Sequence, residues 1–194
     1  MIHPHTELKF ISDEVGYGII ATDFIPKGSI TWVQDKLDAV FTQSQIDKMN
    51  DYYKSVLDCY TFRNQKGKYI LCWDLAKYVN HSFKSNCLTT PYDFEIAIRD
   101  IHPGEELTDD YGYLNISRPF RAKDEGTKRK TVYPDDLLKY HQKWDKAIAD
   151  AFKHIKEVNQ PLFSLLSPKT VSTINKINTG KKELDSILIC YFSG

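Results

Sequence analysis

The sequence predicts an α+β protein that is mostly β with helices. Apolar residues alternate with polar or small ones in short runs, as in residues 94–99, and this period of two is typical of half-buried strands. The clearest helical pattern comes later, where apolar residues recur every three or four positions after Pro134. The order of the two patterns places a strand-rich part first and a helical part after it.

Residues 7–33 are predicted to form short strands joined by turns. Glycines flank Tyr17, and a strand glycine lets the backbone approach a ligand closely because no Cβ intrudes. Taken alone, Gly16 and Gly18 are better explained by a plain hairpin bend. Residues 42–58 have helical spacing, with Thr42 as the N-cap. The runs 60–62 and 69–73 are predicted to be two strands joined by a turn.

The chain changes character after residue 117. Residues 118–130 are strongly charged and contain glycine, as in an exposed linker. A long helix is predicted over residues 134–158, a short helix near 167–177 and an apolar strand at 187–192. We therefore expect a domain at 6–117 and, at 118–194, a linker with a helical C-terminal extension.

Composition excludes several classes of function. Lysine plus arginine and aspartate plus glutamate number 26 each, so no global basic field favours nucleic acid or an anionic membrane. The four cysteines include no C-x-x-C pair, so neither a metal site nor a disulfide framework is predicted. No signal peptide is recognisable, and the longest apolar run is too short to span a bilayer. We expect a soluble, cytoplasmic protein, with secretion as an effector left open.

Two polar patches flank the strand at residues 94–99. The first is Asn80-His81-Ser82, followed by Asn86, and the second is the run Glu106-Leu107-Thr108-Asp109-Asp110-Tyr111. Taken alone, each patch is typical of capped turns or strand ends, because short polar side chains satisfy backbone groups at bends. A hydrolytic pairing of Ser82 with His81 is disfavoured, because adjacent residues rarely aim at each other.

Together with the glycine pair, these patches resemble the SET-domain protein-lysine methyltransferases. Gly16-Tyr17-Gly18 is similar to the family's glycine-x-glycine, Asn80-His81-Ser82 with Asn86 to its asparagine-histidine-serine motif, and residues 106–111 to its glutamate-leucine-threonine-x-aspartate-tyrosine motif. The motifs occur in the family's order. The resemblance is to a compact, bacterial-type member and covers about residues 7–117.

The resemblance implies the SET fold of several small curved sheets, β-clip-like, in which Asn80 and Tyr111 converge. It also implies transfer of a methyl group from S-adenosylmethionine to a lysine of a protein substrate, with Tyr111 as the catalytic residue. The cofactor-binding residues it implies are Gly16, Tyr17, Gly18, Asn80, His81 and Phe120. The substrate-channel residues it implies are Thr89 and Tyr92, reached by counting along from Asn80, and Tyr113 after the tyrosine motif.

The chemistry fits these residue types. Free lysine has a pKa of about 10.4, so desolvation in an apolar channel must lower it before the amine can attack. Aromatic faces tolerate a cation without competing as nucleophiles. Tyrosine, with a pKa of about 10, is a poor base at neutral pH, so we expect Tyr111 to orient and stabilise while water removes the proton.

The chain also departs from the family pattern. Many members follow the tyrosine with a cysteine-rich zinc segment, whereas residues 120–129 contain no cysteine. We expect the helix after Pro134 to replace that lid, with Phe120 or Trp144 stacking on adenine. The departures leave a non-catalytic SET module that binds a protein partner as the alternative. A nucleic-acid site at residues 123–130 is disfavoured, because such charge runs are usually solvated loops.

Overall fold

The structure, a computed structural model, describes residues 1–194. In chain order the strands are β1 (Thr6–Ser12), β2 (Gly16–Ala21), β3 (Ile30–Val33), β4 (Ala39–Phe41), β5 (Thr61–Arg63), β6 (Tyr69–Leu71), β7 (Asn80–His81), β8 (Cys87–Thr89), β9 (Phe94–Ala97), β10 (Glu106–Asp109), β11 (Phe120–Arg121) and β12 (Thr131–Val132). The helices are α1 (Gln43–Asp47), α2 (Asp51–Tyr60), α3 (Asp136–Phe152) and α4 (Pro168–Asn178). No helix is both long and apolar enough to cross a membrane.

The strands form four small sheets. Their orders are β1-β2-β10-β7, β3-β9-β8, β4-β6-β5 and β11-β12. Most pairs are antiparallel, but β10 and β7 run parallel. This assembly of small sheets with helices confirms the predicted α+β fold class.

Two apolar clusters form the core. The larger one joins the inner face of the β3-β9-β8 sheet to α3, α4 and the C-terminal segment, through residues such as Phe94, Ile96, Trp144, Ile148 and Phe152. The smaller cluster lies on the other side of that sheet, against β2 and β10. Strand-rich and helical parts therefore share one core.

Polar contacts also tie the helical part to the sheets. Gln160 accepts a hydrogen bond from the Ile30 amide at 2.8 Å and donates one to the Gly28 carbonyl at 2.8 Å. A Cβ on Gly28 would lie 2.7 Å from Cβ of His154, so only glycine permits this approach. Gln160 thus satisfies backbone groups at and just before the start of β3.

Three predicted elements differ from the structure. The helix predicted at 42–58 is two helices, because Asn50 caps α2 by accepting from the Tyr53 amide at 3.0 Å. The long helix ends at Phe152 instead of residue 158; tighter turns follow, in which His154 N–H donates to the Ala151 carbonyl at 3.0 Å. The terminal strand prediction was wrong.

The residues of that predicted strand form a 3-10 helix, Ile187–Cys190. Asp145 on α3 fixes its start by accepting from the Ser186 hydroxyl at 2.6 Å and the Ile187 amide at 2.7 Å. The segment packs on α3 through apolar contacts and has no neighbouring strand. The short helix predicted near 167–177 is confirmed as α4, capped by Ser167.

Candidate active site

The parallel pairing of β7 with β10 joins the two polar motifs. Asn80 lies opposite Thr108, and His81 opposite Asp109. Asn86 fastens the pair, because its side chain donates to the Glu106 carbonyl at 2.7 Å and accepts from the Thr108 amide at 2.9 Å. Asn86 is buried, so these two bonds replace the hydrogen bonds with water that its side-chain amide loses on folding.

Asn80 links this pair to the predicted glycine motif. Its Nδ2 donates to the Tyr17 carbonyl at 3.0 Å and to Glu106 Oε1 at 2.8 Å. A Cβ on Gly18 would meet the same Oε1 and the Asn80 amide, so any larger residue there would have to displace the hydrogen bond between these two side chains. Gly16 has φ +81°, with open space where a Cβ would stand.

His81 lies between the two motifs. Its Nδ1 accepts from the Tyr111 amide at 3.1 Å, which places the ring proton on Nε2. Nε2 is buried and has no partner. Burial, with a smaller contribution from Arg129, lowers the pKa of His81 to about 4, so the ring is neutral at physiological pH. The result is one buried N–H donor without an acceptor.

Tyr111 begins a 3-10 turn (Tyr111–Tyr113) directly after β10. Its hydroxyl donates to the Val79 carbonyl at 2.6 Å, and its ring lies 5.4 Å from His81 and 6.1 Å from Phe120 between centroids. Burial, and then the charge of Asp109, raise the pKa of the phenol. Tyr111 is therefore neutral and poorly suited to act as a base.

A cavity of about 350 Å³ opens beside Tyr111. Its mouth includes the exposed residues Asp58 and Arg118, which form an ion pair at 2.6 Å, and its inner wall includes the buried Cys72. Six aromatic side chains line it: Trp32, Tyr60, Phe62, Tyr69, Tyr111 and Phe120.

The three residues predicted for the substrate channel do not line this cavity. Thr89 pairs with Glu95 across the sheet. The Tyr92 hydroxyl donates to Asp185 Oδ2 at 3.1 Å, within the larger core cluster. Tyr113 is 2% exposed and packs edge-on against Trp144, 5.4 Å away between centroids.

The cavity wall contains two acidic side chains that the sequence prediction did not include. Glu95 on β9 and Asp109 on β10 both line it. Burial is the main cause that raises the pKa of each carboxyl, and the Coulomb interaction between them raises that of Glu95 further. The alternation of residues in β9 could have indicated Glu95, because its side chain must point to the opposite face of the strand from the apolar side chains at 94 and 96.

Arg129 anchors the helical extension to the tyrosine motif. Its guanidinium bonds Asp110 and Asp136, which are 2% and 1% exposed. The Arg129 guanidinium carbon lies 4.7 Å from the Phe83 ring centroid and 4.6 Å from that of Tyr140, where cation–π attraction adds to the ion pairs. This cluster fixes the start of α3 against the turn that carries Tyr111.

The two aromatics considered for adenine stacking are placed very differently. Trp144 is 3% exposed inside the core, where it packs against Tyr113 and Tyr140. Phe120 is half-buried and lies 5.5 Å from the His81 ring between centroids. Only Phe120 remains accessible beside the two motifs.

Small sheets that bring an asparagine-histidine strand against a buried tyrosine turn define a class of proteins known as SET domains. The family described as SET domain matches residues 16–112, half of the chain, and the protein belongs to the SET-domain methyltransferase family. A solved Plasmodium falciparum protein, described as a candidate histone methyltransferase, is 16% identical with a TM-score of 0.41 over 57% of this chain and 95% of that one. No curated protein matches the chain.

Proposed function

We propose that the protein transfers a methyl group from S-adenosylmethionine to a lysine side chain of a protein. The observation that carries this proposal is the position of Tyr111. It lies beside the asparagine-histidine strand and also lines an aromatic cavity that opens to solvent. A lysine side chain is long and thin, so its amine can enter such a cavity while its backbone stays outside.

The residues around Asn80 and His81 fit the proposed cofactor. His81 Nε2 offers a buried donor without an acceptor, as an adenine nitrogen requires. Gly16 leaves open space beside the backbone, and the half-buried Phe120 offers an aromatic face close to His81. Gly16, Tyr17, Gly18, Asn80, His81 and Phe120 would hold S-adenosylmethionine.

S-adenosylmethionine supplies a methyl group on a positively charged sulfur. The work of the chain is then to align the amine and to exclude water. The six aromatic side chains stabilise a cation in the cavity without reacting with the methyl group. Tyr111 contributes a neutral hydroxyl that is fixed by the Val79 carbonyl, so its dipole is already oriented when the substrate arrives.

Calorimetric titration with S-adenosylmethionine and with its demethylated product tests the proposal without knowledge of the acceptor. We expect saturable binding by the wild-type protein and weaker binding by Asn80→Ala, because the Asn80 amide bridges β2 and β10. The exposed Asn159, changed to alanine, is the matched control.

Two results would contradict the proposal. If the folded protein binds neither ligand, the SET fold serves here as a non-catalytic interaction module. If both ligands bind but no labelled methyl group reaches any lysine in a pool of random peptides or mixed proteins, the acceptor assignment is wrong.

A further inference from the structure

Glu95 and Asp109 lie together in the wall of the cavity. Glu95 projects from the face of β9 opposite Phe94 and Ile96, which belong to the larger core cluster. Asp109 ends β10, two residues before Tyr111. The two carboxyl groups come from different sheets and meet within hydrogen-bonding range of each other.

Hydrogen-bonding capacity is unmet at this point of the wall. Asp109 is 4% exposed, no backbone amide or basic group donates a hydrogen bond to its Oδ1, and its polar neighbours are Glu95 and the Tyr113 hydroxyl. Trp32 stands opposite Glu95 in the sheet, is also 4% exposed, and its indole N–H has no acceptor. Buried polar groups are normally satisfied, so the Trp32 N–H indicates a place for another polar group beside the two carboxyl groups.

Asp109 is buried and Glu95 is half-buried, and two carboxyl groups in contact at such a place do not both ionise at neutral pH, because a proton on one of them bonds to the other. The basic side chains in the cavity wall do not relieve this repulsion, because each has a partner elsewhere. Lys77 donates to the Asp74 carbonyl at 2.8 Å, Arg63 to the Asn115 carbonyl at 3.1 Å, and Arg118 pairs with Asp58. The pair therefore carries one negative charge and one proton at neutral pH.

The other titratable groups that face the pair leave this charge state unchanged. Asp110 is neutralised by Arg129, and the α-ammonium of Met1, held by Asp35, lowers the pKa of Glu95 only as the smallest contribution. The remaining neighbours are neutral because burial raises their pKa values: Cys72, Cys87, Tyr111 and Tyr113.

We propose that the Glu95–Asp109 pair accepts the proton that the substrate ammonium group must lose before methyl transfer. This inference rests on the proposed function. The ammonium N–H bond breaks, and its proton joins the ionised carboxylate of the pair. The nitrogen lone pair then forms the new N–C bond while the C–S electron pair returns to sulfur. The product is a methylated ammonium group, and the carboxyl proton leaves to solvent after product release.

Burial makes this transfer feasible at neutral pH. A carboxyl group in water is too weak a base for an ammonium group with a pKa of about 10.4. An apolar cavity raises the pKa of the carboxyl group and lowers that of the amine, so the two values approach each other. Ion-pair formation alone would hold the substrate in its unreactive charged form, whereas a shared proton gives a neutral amine.

The test is the pH dependence of single-turnover transfer of labelled methyl from S-adenosylmethionine to a pool of random lysine peptides. Below about pH 6, where the pKa of Asp109 is placed, the wild-type rate should fall about tenfold per pH unit as the pair gains its second proton. Asp109→Asn should lower the rate at pH 7 about 100-fold, the usual minimum for losing a general base. Glu95→Gln should move the acidic limb to higher pH, because the Glu95 acid lowers the pKa of Asp109 through a hydrogen bond and an amide is a weaker donor.

Infrared spectroscopy detects the protonation state of the Glu95–Asp109 pair and does not depend on methyl transfer. The wild-type protein at neutral pH should show a buried carboxylic acid band that Glu95→Gln removes. Glu7→Gln and Asp13→Asn, at exposed positions, are the matched controls and should change neither the band nor the pH profile.

The outcomes separate the two proposals. A wild-type protein that transfers no methyl group at any pH overturns the proposed function, and the proton-accepting role with it. A wild-type protein that transfers methyl groups overturns the inference alone if both variants, shown to be folded by circular dichroism, keep its pH profile. Absence of the carboxylic acid band from the wild-type protein also overturns the inference.

Discussion

Tyr111 is held at both ends by hydrogen bonds, and this limits the role it can have in a reaction. The Tyr111 backbone amide is used by His81, and its hydroxyl by the Val79 carbonyl. Both ends of the residue are therefore fixed, and the ring can face the cavity in only one orientation. This double attachment is what we expect of a residue whose task is to position a reaction instead of moving a proton.

Tyr111→Phe is predicted to lower methyl transfer about 100-fold, because it removes one oriented dipole from the reacting centre. The fold should persist, since the ring keeps its packing and only one hydrogen bond is lost. Transfer to the peptide pool measures the effect, and calorimetry should show S-adenosylmethionine binding close to wild type.

The exposed Tyr52, changed to phenylalanine, is the control for this substitution. If Tyr111→Phe transfers methyl groups as fast as the wild-type protein, the hydroxyl has no part in the reaction.

At the scale of elements, α3 is joined to the tyrosine turn by a single buried cation. Arg129 lies between Asp110 and Asp136, and each of the three side chains is largely removed from water. Neither acid is satisfied by another basic side chain. Loss of Arg129 would leave two buried carboxylates facing each other.

Arg129→Gln is accordingly predicted to lower the free energy of unfolding by about 3–5 kcal/mol, as expected when one partner of a buried ion pair is removed. Denaturant unfolding followed by tryptophan fluorescence measures it, with Trp144 near the cluster as the probe. Lys130→Gln, which breaks the adjacent exposed pair with Asp124, should leave the midpoint close to wild type. Equal effects of the two substitutions would refute the structural role of Arg129.

The elements also show what the sequence could predict. Periodicity predicted β3, β9 and the long helix α3, whose apolar residues lie in the two core clusters. It missed the break before α2, although Asn50 is a residue type that caps helices. It assigned residues 187–192 to a strand because an apolar run does not reveal whether another strand lies beside it.

The site could be predicted only where its residues form a motif. The convergence of Asn80 and Tyr111 was expected from the family resemblance, and the structure brings them together by pairing Asn80 with Thr108 on the strand before Tyr111. The cavity wall, in contrast, combines residues from distant segments, from Trp32 to Phe120. The spacing of residues along the chain does not predict that these segments lie together. Position along the chain therefore led to Tyr92, by counting from Asn80, and to Tyr113, beside the tyrosine motif, and both lie in the core.

At the scale of the whole molecule, the proposed division at residues 117 and 118 does not coincide with a division of the core. Ile30 and Phe94 from the first part pack in the same cluster as Trp144 and Phe152 from the second. A fragment ending at residue 117 would expose the apolar face of the β3-β9-β8 sheet. Residues 16–112 match the family, but the part of the chain that ends at residue 117 is not expected to be stable without the helices that follow it.

We predict that residues 1–117 alone do not unfold cooperatively, because the larger core cluster loses its helical half. Near-ultraviolet circular dichroism during denaturant titration is the measurement. Removal of the exposed Ser193 and Gly194 is the control and should leave cooperative unfolding intact. A sharp transition in the 1–117 fragment would show that the first part is an autonomous domain.

The contacts of Asn115 in the cavity wall determine when the cavity can form during protein synthesis. Asn115 is buried in a left-handed conformation with φ +52°, and its side chain bonds the Arg63 carbonyl, the Cys190 carbonyl and the Phe192 amide. During translation, Asn115 leaves the ribosome long before Phe192 does. The wall therefore closes only when synthesis has passed that residue, and a nascent chain carries the tyrosine motif well before it has a complete cavity.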